Sequence, residues 1–246
     1  MADLVSRIVF DHVAVAVPQM AAAAPFLSGE LGGIPDSGAV RSGGGFAWGT
    51  YRFAGGGSIE VLEPRGDTGF VQRFLSDRGP GIHHVTFKVP SLDQVCARAE
   101  AAGYGIVGRD DSDPEWREAF LHPKQALGIV VQFAQPGPPA GPESAPVLPR
   151  AVPSPPAPLT VLGLRMRCQS RERAITQWGR VLQGRMSERS PGCLVFEWPG
   201  SFMRLVVEID PVDNEGPRAI EVGGGGRRLP TGPHPVLGAV FEDVEA

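Results

Sequence analysis

The sequence HVAVAVP at residues 12–18 recurs as HVTFKVP at residues 84–90, an offset of 72 residues. The same offset relates IEV at residues 59–61 to VQF at residues 131–133. Since one spacing relates both ends of the segment, we interpret the first half of the chain as a structural unit of about 70 residues that occurs twice.

Both copies show the same order of predicted elements. The opening segment alternates apolar and small or polar residues with a period of two, which predicts a strand, and a proline ends it. A helix follows; in the second copy Ser91 and Gln94 have capping-box spacing and Gly103 marks its end, whereas in the first copy Pro25 interrupts the helix predicted over 19–31. Short apolar segments then predict strands at 46–53 and 58–62, and at 105–108, 117–121 and 128–133. We therefore predict an α+β fold with two βαβββ units.

A proline-rich segment separates this region from the rest of the chain. Residues 135–158 contain ten prolines, a composition that favours extended polyproline II structure. The sequence thus predicts a two-unit domain at 1–134, a linker at 135–158 and a degenerate third βαβββ unit at 159–246. In the third unit we expect a strand at 160–168, a helix, a hairpin formed by 193–198 and 203–209, and the opening strand of an unfinished fourth copy at 236–244.

The charge and composition of the 246-residue chain exclude several classes of protein. It has 23 basic and 27 acidic residues and a net charge of −4, whereas nucleic-acid binding usually requires a basic face. No apolar run approaches the roughly 18 residues of a membrane span, and the three cysteines lack CxxC spacing. We therefore expect a cytoplasmic, globular protein that acts on a small molecule and binds neither nucleic acid nor membranes.

Four polar residues occupy equivalent positions in the two copies, within strands that are otherwise apolar. They are His12 and Glu60 in the first copy and His84 and Gln132 in the second. A carboxylate among apolar neighbours is costly to bury unless it is paired or binds a metal. Two imidazoles, a carboxylate and an amide oxygen suit one divalent ion such as Zn, Co, Ni, Mn or Fe. The alternative is that these residues are hydrogen-bonded polar groups of the core.

Four segments carry a resemblance to a known family. They are FDHVAVAVP at 10–18, IEVLEP at 59–64, RGPGIHHVTFKV at 78–89 and FLHPKQALGIVVQF at 120–133. They resemble the vicinal oxygen chelate superfamily of glyoxalases, bleomycin resistance proteins and dioxygenases, and especially methylmalonyl-CoA epimerases and glyoxalase I. The resemblance implies a curved mixed sheet that forms a cup around one divalent metal ion. It also implies that His12, Glu60, His84 and Gln132 are the ligands, and that His83 points to the opposite face.

The chain departs from the epimerase pattern at two positions. Gln132 stands where these epimerases usually have a Glu that transfers a proton, and a glutamine cannot take a proton. Residues 48–50 read Trp-Gly-Thr, where the second carboxylate of the epimerases would lie. Glu118, on a strand that should pair with the strand of Gln132, is the best replacement base; the alternative is an exposed glutamate at the sheet edge.

The third unit lacks the equivalent ligands. Gly163 occupies the position of His12, Val207 that of Glu60 and Gly238 that of the next histidine. We expect this unit to be structural and free of metal. Because a single unit leaves an apolar sheet face and open edges, it should pack against the first domain or against a second chain, which would give a homodimer.

Three functions are consistent with these residues. The first is a metal-dependent isomerase or lyase of the glyoxalase-like type, which stabilises an enolate of a small carbonyl or thioester substrate while Glu60 or Glu118 moves the proton. The second is an Fe(II)-dependent dioxygenase that uses two histidines and Glu60. The third is a metal-free binding protein of the resistance type. No residues are assigned to an organic cofactor.

Overall fold

Two mixed β-sheets and a few short helices make up the structure, a computed structural model that describes residues 7–41, 45–137, 158–224, 226 and 229–244. The sheets have eight and six strands, and they fit paired βαβββ units. The predicted α+β class is therefore confirmed. Residues 138–157, most of the predicted linker, lie outside the described residues, and the predicted domain boundaries stay a prediction.

The first sheet contains the two complete repeats. Its strands are β1 (Val9–Ala16), β2 (Ile34–Arg41), β3 (Phe46–Arg52), β4 (Ser58–Pro64), β5 (Gly81–Lys88), β6 (Ile106–Asp110), β7 (Trp116–Leu121) and β8 (Val130–Pro136). Their hydrogen-bonded order is β2-β3-β4-β1-β5-β8-β7-β6. In each repeat the opening strand is parallel to the closing strand, β1 to β4 and β5 to β8. This pairing places the polar residues of each repeat beside one another.

The helices of the first half differ in regularity. In the first repeat, residues Met20–Ala22 form one turn of 3₁₀ helix and Pro25–Glu30 form a π-helix. Proline has no N–H to donate, so Pro25 is accommodated at the start of the second segment rather than inside one helix. Helix α1 (Phe70–Arg78) precedes β5, and helix α2 (Leu92–Ala101) follows it. The Ser91 hydroxyl caps α2 by accepting a hydrogen bond from Gln94 N at 3.3 Å, as the sequence predicted.

The second sheet contains the degenerate unit. Its strands are β9 (Thr160–Cys168), β10 (Arg185–Ser190), β11 (Cys193–Glu197), β12 (Arg204–Ile209), β13 (Gly216–Gly223) and β14 (Phe241–Asp243), in the order β10-β11-β12-β9-β13-β14. Helix α3 (Arg171–Ala174) continues into a π-helix at Ile175–Val181. The predicted strand 160–168 and the predicted hairpin are confirmed.

The predicted opening strand of the fourth copy is wrong. Strand β13, not residues 236–244, lies beside β9 in the place that β5 takes beside β1. Only Phe241–Asp243 of the predicted segment is a strand. The residues before this strand form a turn instead. Gly238 has a φ of +61°, and its N–H donates to the His234 carbonyl at 2.7 Å. Gly238 therefore does not occupy a ligand position in a strand.

The described chain forms two compact units, and each combines residues from before and after the predicted linker. One contains residues 7–11, 84–137 and 163–218, and the other 12–41, 45–83, 158–162, 219–224, 226 and 229–244. In the first, Arg98 Nε of α2 donates to the Val181 carbonyl at 2.9 Å. In the second, Val161 N donates to the Gly56 carbonyl at 2.9 Å. The C-terminal segment thus packs against elements of the first half, one of the two arrangements expected from the sequence.

The glycine turns of the two repeats make equivalent contacts. A β-carbon at Gly57 would collide with the Val161 backbone, and one at Gly128 would lie 2.5 Å from the Glu215 carbonyl oxygen. Both glycines have positive φ, at +79° and +81°. The turn before each closing strand is therefore held against the start of a strand, β9 or β13, from the second sheet.

Among the residues that the structure describes, every helix falls short of the length and apolar character needed to cross a bilayer.

Candidate metal centre

The parallel pairing of β1 and β4 brings His12 and Glu60 together. Ala14 and Glu60 are direct partners in this ladder, and His12 lies two residues before Ala14. Nε2 of His12 lies 3.6 Å from Oε1 of Glu60, and the two side chains are 5% and 12% exposed. A distance of 3.6 Å is too long for a hydrogen bond but is short enough for two ligands of one ion.

His84 completes a cluster of three. His12, Glu60 and His84 each offer one ligand atom, and these atoms lie within 4.8 Å of one another. Both histidines are buried, at 4% and 5% exposure. The structure therefore brings together three of the four residues that the repeat singled out as metal ligands.

Gln132 is engaged by two other side chains. It pairs with Thr86 in the ladder of β5 and β8, and its Oε1 accepts a hydrogen bond from the Thr86 hydroxyl at 2.6 Å. Its Nε2 donates to Oε2 of Glu118 at 2.7 Å. Both ends of the amide are thus used within the protein, which differs from the sequence-based expectation that the amide oxygen would face a metal ion.

Glu118 lies beside Gln132, because β7 pairs with β8 as predicted; the pairing is antiparallel. Its Oε2 also accepts a hydrogen bond from Nε1 of Trp116 at 2.9 Å. The ammonium group of Lys88 lies 5.8 Å from the centre of the Trp116 ring and 2.9 Å from Asp11 Oδ1. Glu118 is half-buried and held by two donors, so it is not the exposed edge glutamate of the alternative interpretation.

Helix α1 provides an apolar cover on the strands of the first repeat. Its Val71 packs with Ala14, Ala16 and Leu62, which follow His12 and Glu60 along β1 and β4. Trp48 packs against the same group. The centre is therefore bordered by apolar side chains, which lower the local dielectric constant and strengthen electrostatic interactions.

His83 lies outside the cluster. Its ring packs at 5.3 and 4.9 Å from the rings of Phe70 and Phe74 in α1. Burial, and then the positive charge of Arg78, lower the pKa of His83 to about 4. A packed histidine, rather than a ligand, agrees with the sequence-based interpretation.

Among the described residues of the third unit, no equivalent cluster of ligand atoms occurs. Ser170 caps its helix seven residues after Gly163, as Ser91 does seven residues after His84, which confirms Gly163 as the equivalent of the histidines. The residue two positions on, Arg165, pairs with Val206 in β12. Because Ala14 pairs with Glu60 in the first repeat, Val206 rather than Val207 takes the position of Glu60. The sequence-based assignment of Val207 was therefore wrong by one residue.

Sequence reasoning missed two parts of this region. Thr86 gave no signal, because threonine is an ordinary residue of strands. The sequence does contain a signal for helix α1. Val71, Phe74 and Leu75 have helical spacing, and Gly69 and Gly79 flank the segment.

Comparison with known proteins agrees with this architecture. Residues 11–120 match the model of the glyoxalase/bleomycin resistance protein/dioxygenase superfamily. This part of the chain is therefore similar to that superfamily. The ethylmalonyl-CoA/methylmalonyl-CoA epimerase of Cereibacter sphaeroides is 29% identical over 139 residues, which are 51% of this chain and 96% of that protein.

Two solved structures are also similar. A hypothetical protein from Bacillus halodurans is 24% identical, with a TM-score of 0.50 over 55% of this chain and 99% of its own. Methylmalonyl-CoA epimerase from Mycobacterium tuberculosis is 27% identical, with a TM-score of 0.49 over 56% of this chain and 93% of its own. Each of these alignments covers just over half of this chain and nearly all of the similar protein.

Proposed function

We propose that this protein binds one divalent metal ion through His12, Glu60 and His84 and catalyses proton transfer at the carbon beside the carbonyl of a small thioester or related carbonyl substrate. The cluster of these three residues carries the proposal. The match of residues 11–120 to the superfamily model and the similarity to an acyl-CoA epimerase support it. Because that relative acts on ethylmalonyl-CoA and methylmalonyl-CoA, acyl-CoA thioesters are the substrates to test first.

The donor set fits a metal ion. Ligand nitrogen and oxygen atoms bind Zn²⁺ and similar ions at about 2.0–2.2 Å, so two of them on one ion are separated by about 3–4 Å. The 3.6 Å between His12 and Glu60 falls in this range. Two imidazoles and a carboxylate suit borderline ions such as Zn, Co, Ni, Mn or Fe. Such an ion, when bound, polarises a carbonyl and makes the neighbouring C–H more acidic.

The proton would be moved by Glu118. Its Oε2 is held by Trp116 and Gln132, so the carboxylate has a fixed orientation and Oε1 is the oxygen available to a substrate proton. Glu60 is the second candidate, because it belongs to the cluster itself. Strand β3 offers no further acid: Thr50 is the partner of Glu60, and Trp48 is packed against α1. A site with one dedicated base favours proton exchange or isomerisation over an epimerisation that needs an acid on each face.

Metal content is the first test. Elemental analysis of protein purified without added metal should find about one divalent ion per chain, and His12→Ala and His84→Ala should each remove most of it. His122→Ala, which changes an exposed histidine of the turn before β8, is the matched control and should retain it.

Substrate chemistry is the second test. Ethylmalonyl-CoA, methylmalonyl-CoA and a panel of hemithioacetals are incubated in deuterated water, and exchange of the α-proton is followed by NMR. Exchange that requires both the metal and Glu118 supports the proposal. Metal-free protein that binds these compounds without exchange would indicate a binding protein, and oxygen consumption by an iron-loaded form would indicate a dioxygenase; either result overturns the proposal.

A further inference from the structure

We infer that Gln132 is a positioning residue that orients the carboxylate of Glu118 through a hydrogen-bond chain starting at Thr86, and is not the fourth metal ligand. The inference rests on the proposed function for the role of Glu118, but the chain of contacts stands on its own. It assigns a task to three residues that lie beside the candidate metal centre rather than in it.

The orientation of the amide follows from the chemistry of its neighbours. An ionised carboxylate only accepts hydrogen bonds, so the group facing Glu118 must be the NH₂ end of Gln132. The carbonyl end then faces Thr86, whose hydroxyl can donate to it at 2.6 Å. The opposite orientation would place two acceptors, Oε1 and the carboxylate, against each other. Glu118 therefore selects this orientation, and the Thr86 hydroxyl fits it by donating to Oε1.

The strand register holds the three residues at these distances. Thr86 and Gln132 are direct partners in the parallel ladder of β5 and β8. In the antiparallel ladder of β7 and β8, Gln132 pairs with Phe120, and Glu118 is the next residue along β7 on the same face. Thr86 is fully buried and Gln132 is 8% exposed, so water competes little for these hydrogen bonds. The chain is thus a built part of the sheet.

Two donors converge on one oxygen of Glu118. Gln132 Nε2 lies 2.7 Å and Trp116 Nε1 2.9 Å from Oε2, and they approach from different residues of the sheet. Together they restrain the orientation of the carboxylate, and Oε2 is the oxygen that they engage. Orientation of a base in this way contributes to catalysis because small displacements of a reacting group reduce the rate strongly.

The same contacts argue against ligation by Gln132. Turning Oε1 toward an ion would break the hydrogen bond from Thr86 and withdraw the NH₂ group from Glu118. A buried hydroxyl and a half-buried carboxylate would each lose a partner, which is costly. Ligation and positioning are therefore alternatives, and the observed contacts correspond to positioning.

Co²⁺ spectroscopy distinguishes metal ligation by Gln132 from positioning of Glu118 by Gln132. Co²⁺-loaded wild type, Gln132→Leu and Thr86→Val are compared for stoichiometry, affinity and visible absorption spectrum, with His12→Ala as the control that should lose the ion. Positioning predicts that Gln132→Leu keeps the wild-type spectrum and affinity within about twofold. A changed spectrum together with an affinity loss of tenfold or more in Gln132→Leu, with Thr86→Val unchanged, would overturn the inference.

Proton exchange provides the second readout. At saturating substrate, we expect the exchange rate to fall about 10- to 100-fold in Gln132→Leu and less in Thr86→Val, with KM little changed in either. Thr86→Val is the decisive variant because it is nearly isosteric and removes only the hydroxyl. An unchanged rate in both variants would contradict the inference.

An NMR measurement on the wild-type protein tests the inference even if a variant does not fold or the chosen substrates do not react. In ¹⁵N-labelled protein, the side-chain amide protons of Gln132 should exchange slowly with water, and their resonances should move in Glu118→Ala. Fast exchange with no shift would overturn the inference even if the variants are unfolded. If no substrate reacts while the spectrum and the amide behave as expected, the proposed reaction fails and the placement of Gln132 stands.

Discussion

Gly163 lies directly against the backbone of Arg204 in the paired strands β9 and β12, and a β-carbon at Gly163 would collide with the Arg204 carbonyl oxygen. Its φ of +130° is also a conformation that residues with side chains rarely adopt. The equivalent position in the first repeat is His12. The third unit therefore differs by more than the missing histidine, because its backbone occupies the space that a side chain at this position would need.

Substitution of Gly163 tests this conclusion. We expect Gly163→Ala to lower the free energy of unfolding by about 2 kcal/mol or more, because it adds a steric clash to backbone strain. Gly200→Ala is the control: Gly200 also has a positive φ, +92°, but nothing lies within 4 Å of its added β-carbon, so only strain of about 1 kcal/mol is expected. Urea unfolding measures both, and equal effects would show that the collision with Arg204 is relieved at little cost.

Gln132→Glu would place a second carboxylate against Glu118. It removes the NH₂ donor now 2.7 Å from Glu118 Oε2, so we expect a loss of stability of roughly 1–3 kcal/mol at pH 8. Two adjacent carboxyl groups share a proton more readily in acid, so the loss should be smaller at pH 5. Urea unfolding at both pH values tests this, with Gln94→Glu on the exposed side of α2 as the control. A loss that does not depend on pH would argue against direct contact of the two carboxyl groups.

Tyr51 should make the protein sensitive to alkali. Burial raises the pKa of Tyr51 to about 12, so the folded state keeps the phenol neutral at pH values where the unfolded chain ionises it. Stability from this residue is therefore complete below about pH 10 and is lost between pH 10 and 12, up to about 2 kcal/mol. Tyr51→Phe should match wild type at pH 8 and exceed it in stability at pH 11. Parallel loss in both proteins would assign the alkaline transition to other groups.

The three cysteines should differ in reactivity. Burial raises the pKa of Cys168 to about 11 and raises that of Cys96, and both side chains are buried, whereas Cys193 is partly exposed. The thiolate is the reactive form, so iodoacetamide at pH 8 should modify Cys193 first. Peptide mass spectrometry before and after addition of urea measures this order. Early modification of Cys168 in the native protein would show that β9 opens in solution.

The repeat made the cluster of His12, Glu60 and His84 predictable, whereas the irregular elements left weaker signals in the sequence. His12, Glu60 and His84 could be found because equivalent polar residues interrupt equivalent apolar strands. Strand β2 escaped detection because its sequence, IPDSGAVR, contains residues typical of turns, and its pairing with β3 shifts register between Pro35 and Ser37. The partner strand, rather than local preference, makes it a strand.

The second half was harder to predict because its strands, too, depend on their partner strands more than on local preference. Strand β13 begins with Gly216 and Pro217, and the same dipeptide, Gly79-Pro80, precedes β5. This similarity can be interpreted only once the sheet order shows that β13 takes the place of β5. The role of Gln132 was not predictable at all, because the side chains that engage it, Thr86 and Glu118, are defined by strand register. Residue type alone is equally consistent with ligation and with positioning.

The mixed composition of the two compact units has a consequence for synthesis of the protein. Each unit needs residues from both sides of the proline-rich segment, so neither can complete its contacts until the C-terminal strands have left the ribosome. One unit requires residues up to 218, and the other requires strand β14. Synthesis proceeds at about 5–20 residues per second. The surfaces of the first half that contact β9 and β13 in the folded protein therefore stay exposed for many seconds.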